Sequence, residues 1–475
     1  MKVLVKLTLL VGLSAFFMTG CSRSYMAERE FYKAEKIHNS VKQSDLEAQG
    51  PSAYDPAIEA YDKVTEKYPG TPKALESLFE VANLYTKQKE YAKARDSLKK
   101  VVINFSSQPE RAAEARFRIA KLFEAEDEWG QAERNYWETS EYHPLEMRGL
   151  QAPIQVLLHY RGMKYTDASE RIFRQILEHY ENLAAELGPI EGSMRVRNYI
   201  AIANSVMGNW KEARDEWINM ANDFSESESG GLALVAAAEA SQKLNQQDVA
   251  LSLYERYVEN FPKTNLTGQM LVRIGLIYHK KKVFTEARAN YEKALAVFGE
   301  DKSQVSDVNL LIGRTYQSEG QWDQASAVYS ELESLYPMSP AALQVPLLRA
   351  TYFESQGESE KAKEIRQEAI QYYEEISLRY PDSRLEKLAQ RLIHDAQYQG
   401  ADWASTLENL DEVITKTESP EKKGELLLMK AIIADKQMND KDLALTLYDD
   451  FLRDYSDHTL AQTAKNHREL LAAKS

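Results

Sequence analysis

A single cysteine in 475 residues excludes an internal disulfide, a redox pair and a thiolate metal site. Proline (14) and glycine (20) are scarce, so helices meet few breakers. There is no basic block. The formal charge is −14, removal of a leader carrying Lys2 and Lys6 makes it more negative, and such a chain repels nucleic acid and anionic lipid. Eight histidines are scattered at His38, His143, His159, His179, His279, His394, His458 and His467. None belongs to a His-Glu-x-x-His pair, and glycine-rich phosphate loops and Gly-x-Ser-x-Gly elbows are missing too. No catalytic residue, metal ligand set or cofactor is therefore expected. His143 and His179 read as packing or capping groups near helix ends, and the acidic run from Glu124 to Glu128 as a solvated turn. With 43% hydrophobic residues the chain is too apolar to be disordered, and 27 tyrosines are many.

No apolar run is long enough to span a bilayer, which takes about 20 residues. Leu7 to Met18 follows two lysines and precedes Thr19, Gly20 and Cys21, an export signal. Met18-Thr19-Gly20-Cys21 resembles the lipobox of bacterial lipoproteins, with methionine where leucine is usual. The resemblance implies cleavage before Cys21 and its acylation as the lipid anchor. Ser22 stands where an inner-membrane retention signal would place aspartate, so the implied location is the periplasmic face of the outer membrane.

A small residue recurs at Ala57, Ala94, Ala132, Ala168, Ala213, Ala250, Ala287, Ala325, Ala369, Thr406 and Ala444. The intervals are 37, 38, 36, 45, 37, 37, 38, 44, 37 and 38. An aromatic usually stands three residues before this position (Tyr91, Trp129, Trp322) and a large apolar residue four after (Tyr61, Leu98, Ile172, Tyr254), which is one helical face. Eleven residues on comes another aromatic, often before proline, as in Tyr68-Pro69 and Tyr336-Pro337. Proline disfavours helical geometry in the residue before it and so ends the helix. The following helix starts with a capping hydroxyl before proline at Thr71 and Ser339, or with a capping box at Ser383 and Glu386. It carries a small residue twelve positions before the next marker, as at Ala82, Ala120, Gly275 and Gly313. His394 fills that slot in the tenth copy, predicting altered packing there. The first helix is inferred from Met26, Phe31, Tyr32 and Ala34, and Ser225 to Gly231 reads as loop.

The small-x-x-aromatic, aromatic-x-x-Ala-x-x-x-aromatic, proline order resembles the tetratricopeptide repeat over about residues 25 to 470. The longer period is similar to that of BamD-like envelope lipoproteins. The resemblance implies an all-α, right-handed superhelical solenoid of about eleven helical hairpins. The expected organisation is a signal peptide (1–20), anchor and first helix (21–53), and repeat blocks 54–187, 188–340 and 341–475, divided at the two long intervals. These predict a lengthened helix ending in a loop at Gly188 to Gly192, and a helix two turns longer within Lys361 to Arg379. In this family the first helix of each pair lines the ligand face. That implies protein-binding residues Phe79, Asn83, Lys87, Phe117, Lys121, Arg314 and Gln317, with His279 on the same face. Only Asn83 suits a carboxylate clamp, so capture of a chain terminus is not expected. The implied partners are other envelope proteins or peptide segments, with membrane contact through the N-terminal lipid alone. The implied function is a scaffold in outer-membrane protein assembly or secretion. The alternative is an adaptor for cell-wall or polysaccharide export machinery.

Overall fold

The computed structural model describes residues 23–473 except 189, 190 and 402, and every regular element among them is a helix. The signal peptide and Cys21 lie outside the described residues. The chain divides into two compact units at Lys281/Lys282. In the first, α1 (23–40), α2 (Gln43–Gln49) and a 3-10 turn (Gly50–Tyr54) precede α3 (Asp55–Lys67). Hairpins follow in series: α4 (Pro72–Lys87), α5 (Tyr91–Asn104), α6 (Pro109–Ala125), α7 (Trp129–Tyr142), α8 (Met147–Gly162), α9 (Thr166–Leu187), α10 (Glu191–Met207), α11 (Trp210–Asp223), α12 (Glu228–Lys243), α13 (Gln247–Asn260) and α14 (Asn265–Lys280). The second unit contains α15 (Phe284–Phe298), α16 (Lys302–Ser318), α17 (Trp322–Leu335), α18 (Val345–Ser355), α19 (Ser359–Arg379), α20 (Arg384–Gln399), α21 (Trp403–Lys416), α22 (Pro420–Lys436), α23 (Lys441–Asp454) and α24 (Ala461–Ala472).

Local chemistry sets these boundaries. Thr71, Ser227, Thr264, Asp301, Ser383 and Ser419 each accept a hydrogen bond from a backbone N–H in the first turn of the helix that follows. Ser227 thus starts α12, and Gly230 and Gly231 are buried in its first turn, not in a loop. At Ser383 the reciprocal arm differs from a capping box, because Glu386 accepts from the Asp382 N–H at 2.6 Å. Ser339 caps a 3-10 turn, with α18 beginning only at Val345, so Pro340 is not a first helical residue. Most second helices end at an aromatic or histidine in one conformation (Tyr68 φ −127°, Phe105 φ −125°, Phe224 φ −128°, Tyr336 φ −134°), whereas α9 and α15 end at Gly188 and Gly299 with positive φ. Phe105 and Phe224 adopt it without a following proline, so proline is not what this stop requires.

The marker residue lies in the core: Ala57, Ala94, Ala132, Ala213, Ala250, Ala287, Ala325 and Ala444 are fully buried. In the fourth copy the buried residue is Ser169, whereas Ala168 is only partly covered. In the ninth, Ala362 holds the equivalent place, with Ala369 two turns further along α19. The hairpin turns confirm this register. A residue with positive φ stands five places before each of these markers except Ala57: Lys89, Asp127, Lys164, Gly208, Asn245, Lys282, Gly320, Gly357 and Asn439. The intervals become 37, 38, 37, 44, 37, then 37, 38, 37, 44, 38. Both long ones contain seven extra residues, two turns, which keep the buried stripe in phase. The core runs on across both: Tyr180 clusters with Val196 and Ala203, and Tyr373 with Ala389 and Leu392, while Tyr329 clusters with Ala341 and Val345 across the expected boundary at 341. Long intervals therefore mark lengthened helices, and the expected block boundaries at 188 and 341 fall inside the units. The Gly188 break is also shorter than expected, since Gly192 already lies in α10. Residue 394 is exposed, with Ala396 buried instead, and the first helix buries Ala27 and Ala34 while Met26 and Tyr32 face solvent.

The repeated interval series reflects a duplication at an offset of 193 residues, and the contacts repeat with it. Arg95 pairs with Glu126 and covers Phe123; Arg288 pairs with Glu319 and covers Tyr316. The Tyr136 hydroxyl donates to Glu124, and that of Tyr329 to Gln317, both at 2.8 Å. Trp129 stacks on His159 at 3.4 Å, and Trp322 on Tyr352 at 3.6 Å. Leu150-Gln151-Ala152-Pro153 matches Leu343-Gln344-Val345-Pro346, and the carbonyl three residues before each proline accepts a tyrosine hydroxyl from the lengthened helix. The donors are Tyr180 to Leu150, and Tyr373 to Leu343 at 2.6 Å. Both rings are fully buried, so Tyr180→Phe or Tyr373→Phe, which removes only the donor, should cost its unit about 1 kcal/mol. Denaturant unfolding checks this, and an unchanged midpoint would deny the bond any role in stability.

Candidate protein-binding groove

Helices α4, α6 and α8 line two adjoining hollows of 390 and 620 Å³ that share Glu80, Asn83, Glu114, Arg118 and Arg148. Five of the seven residues expected to bind protein meet here: Phe79 and Asn83 in the first hollow, and Asn83, Lys87, Phe117 and Lys121 in the second. Arg314 and Gln317 belong to the other unit. There, Arg314 donates to Gln344 at 3.1 Å and lines a separate hollow of 260 Å³, while Gln317 is engaged by Tyr329.

The roles inside the groove differ from those expected. Phe117 is 4% exposed and packs edge-on against Tyr136 at 5.4 Å, so it forms floor rather than contact surface. Lys87 stands over the Tyr54 ring at 4.9 Å, and Lys121 donates to Gln155 at 3.2 Å; both side chains are exposed. The organising group is Glu114, which sequence reasoning passed over. One oxygen accepts from Arg118 Nε at 2.6 Å and the other from Arg148 Nε at 2.5 Å. Arg118 also donates to Asn83 at 3.1 Å and lies over Phe79, while Arg148 donates to Gln151 at 2.6 Å and lies over Phe117. Burial works against the Glu114 charge, but hydrogen bonds and attraction from the two guanidiniums outweigh it and hold the carboxyl below its ordinary 4.5. Two cations share one anion, so the pair retains capacity for a carboxylate or carbonyl of a bound segment. The signal available in the sequence was Glu114-x-x-x-Arg118, a helical pair; its coupling to Arg148, 34 residues away, required the fold.

Other polar groups serve the scaffold. Glu124 and Glu126 are committed to Tyr136 and Arg95. Among the described residues no group of three or more His, Cys, Asp or Glu side chains could hold a metal ion, and no helix is long and apolar enough to cross a membrane. His179 meets Ser140 Oγ at 3.0 Å and Trp137 edge-on, and burial pushes its pKa below 6.5. His143 shifts the same way through burial and Arg116. A lowered folded-state pKa contributes stability above 6.5 that is lost as pH falls through the folded value. The first unit should therefore weaken as the pH falls below about 7.5, and His179→Phe should flatten that slope. Equal slopes in denaturant titrations of the two proteins would refute this.

Serial hairpins whose apolar faces are buried only by neighbouring hairpins define a helical-repeat protein. Three segments match tetratricopeptide repeat families: residues 52–109, 232–264 and 266–338. No curated protein matches the chain. Among solved structures, yeast Tom70 is similar at 12% identity and a TM-score of 0.37, over 93% of this chain and 96% of that one. BtubC from P. vanneervenii is similar at 15% identity and a TM-score of 0.33, over 55% and 90%. At such scores these likenesses assign neither partner nor role.

Proposed function

We propose that this protein is a lipid-anchored scaffold on the periplasmic face of the outer membrane. In this reading it acts in the assembly or secretion of envelope proteins and captures a partner segment in the groove of α4, α6 and α8. The duplication carries the choice of groove. Contacts that hold the hairpins together recur in both copies, whereas Glu114, Arg118 and Arg148 have Asp307, Leu311 and Ala341 at the equivalent positions. A repeat of this kind folds without the two arginines, so they serve something other than packing. The exposed lysines Lys87 and Lys121 share the groove with Glu76, Glu80, Glu110 and Glu146, and Lys121 pairs with Glu124, so the lining carries both signs of charge. That arrangement favours a partner segment that brings a carboxylate to the two arginines and basic groups to the glutamates, beside apolar residues. The test is co-purification from detergent-solubilised membranes with the wild-type chain and with Arg118→Gln/Arg148→Gln. Selective loss of a partner from the variant supports the reading, and identical partner recovery overturns it.

A further inference from the structure

The first helix carries two large rings with no place in the core. Tyr25 is 65% and Tyr32 66% exposed, while Ala27 and Ala34 are fully buried against the rest of the unit. At 100° per residue, Tyr25 lies 200° around the helix from Ala27, and Tyr32 stands in the same relation to Ala34. The rings therefore form one stripe on the face opposite the packed one. Arg29 and Lys36 flank the stripe on one side and Glu28 and Glu35 on the other, all exposed, so its border is electrically balanced.

We infer that this face of α1 lies in the headgroup layer of a lipid bilayer, with Tyr25 and Tyr32 as interfacial anchors. The inference rests on the lipid anchor proposed above. Tyr25 is four residues from Cys21, a reach of at most about 14 Å, so an acylated Cys21 brings this ring to the membrane surface. Tyr32 is about 10 Å further along the helix axis, and both rings reach the same layer when the helix lies along the surface. Tyrosine suits that position, with an apolar ring toward the acyl chains and a hydroxyl in water. The balanced flanks and the net charge of −14 point to a zwitterionic surface rather than an anionic one. The face thereby adds a second, reversible contact to the anchor and sets the orientation of the first unit over the membrane.

Hydroxyl-radical footprinting read by mass spectrometry tests this on the mature, lipidated chain bound to phosphatidylcholine vesicles. The reference is a leaderless Cys21→Ser chain in solution. Oxidation of Tyr25 and Tyr32 should fall severalfold on the vesicles. Tyr142 and Tyr165, 61% and 58% exposed, should react equally in both samples. An acylated N-terminal peptide together with unprotected Tyr25 and Tyr32 overturns the inference and leaves the anchor standing. An N-terminal peptide without acyl groups overturns both. Protection in native membranes but not on pure lipid assigns the face to a protein partner and overturns the lipid assignment.

Discussion

Gly149→Ala should cost the first unit about 2 kcal/mol, because a Cβ there would lie 1.7 Å from the His143 backbone carbonyl oxygen, and overpacking of this kind costs about 1–3 kcal/mol. The obstacle is backbone rather than a movable side chain, so relief requires the start of α8 to shift. The second copy shows how such a shift can be made. It has Ala342 at the equivalent place, and there the chain runs through a 3-10 turn before α18 begins at Val345, whereas α8 is helical from Met147. The variant should therefore lose hydrogen-exchange protection over the first turn of α8 as well as midpoint stability. Gly130 in α7 is the control. A Cβ there meets nothing within 4 Å, so Gly130→Ala should stabilise by about 0.5–1 kcal/mol. If both substitutions shifted the unfolding midpoint alike, the close approach would not be what glycine serves at 149.

Arg118→Gln/Arg148→Gln should weaken partner capture by about a hundredfold or more, since arginines at the centre of an interface commonly contribute about 2 kcal/mol each. The same substitutions strip Glu114 of both cations and leave a half-buried carboxylate, which lowers stability on its own account. Adding Glu114→Gln removes that charge and should restore the melting midpoint while binding stays lost. Recovery of binding in the triple variant would show that the double variant failed through misfolding. The fold should tolerate the triple change, because the second copy already lacks both arginines and carries Leu311 and Ala341 in their places.

Much of the architecture was legible in the sequence because the burial of one small residue per hairpin leaves a periodic trace. Where an aromatic slid by one residue, as at Tyr165, the register slipped with it, and Ala168 stood in for Ser169. The two-turn insertions produced the same ambiguity at Ala369, since a shift of seven residues nearly restores the helical face. The 193-residue duplication lay in the interval series but was blurred by these two misplacements. The insertion of α2 and the 3-10 turn before α3 follows no repeat pattern. The groove was legible only in part. The helix face could be read from periodicity, but Glu114 gains its role from Arg148, which the stacking of hairpins brings to it.

The claim that the α4–α6–α8 groove captures the partner is tested most directly by photo-crosslinking in intact cells. A photoreactive side chain is placed singly at Asn83 or Lys121 within the groove, or at Lys99, an exposed position on α5 outside it. One partner band from Asn83 and Lys121, weakened by Arg118→Gln/Arg148→Gln and missing from Lys99, is the predicted result. Crosslinks from Lys99 alone, or a band from the groove positions unaffected by the arginine substitutions, would contradict it.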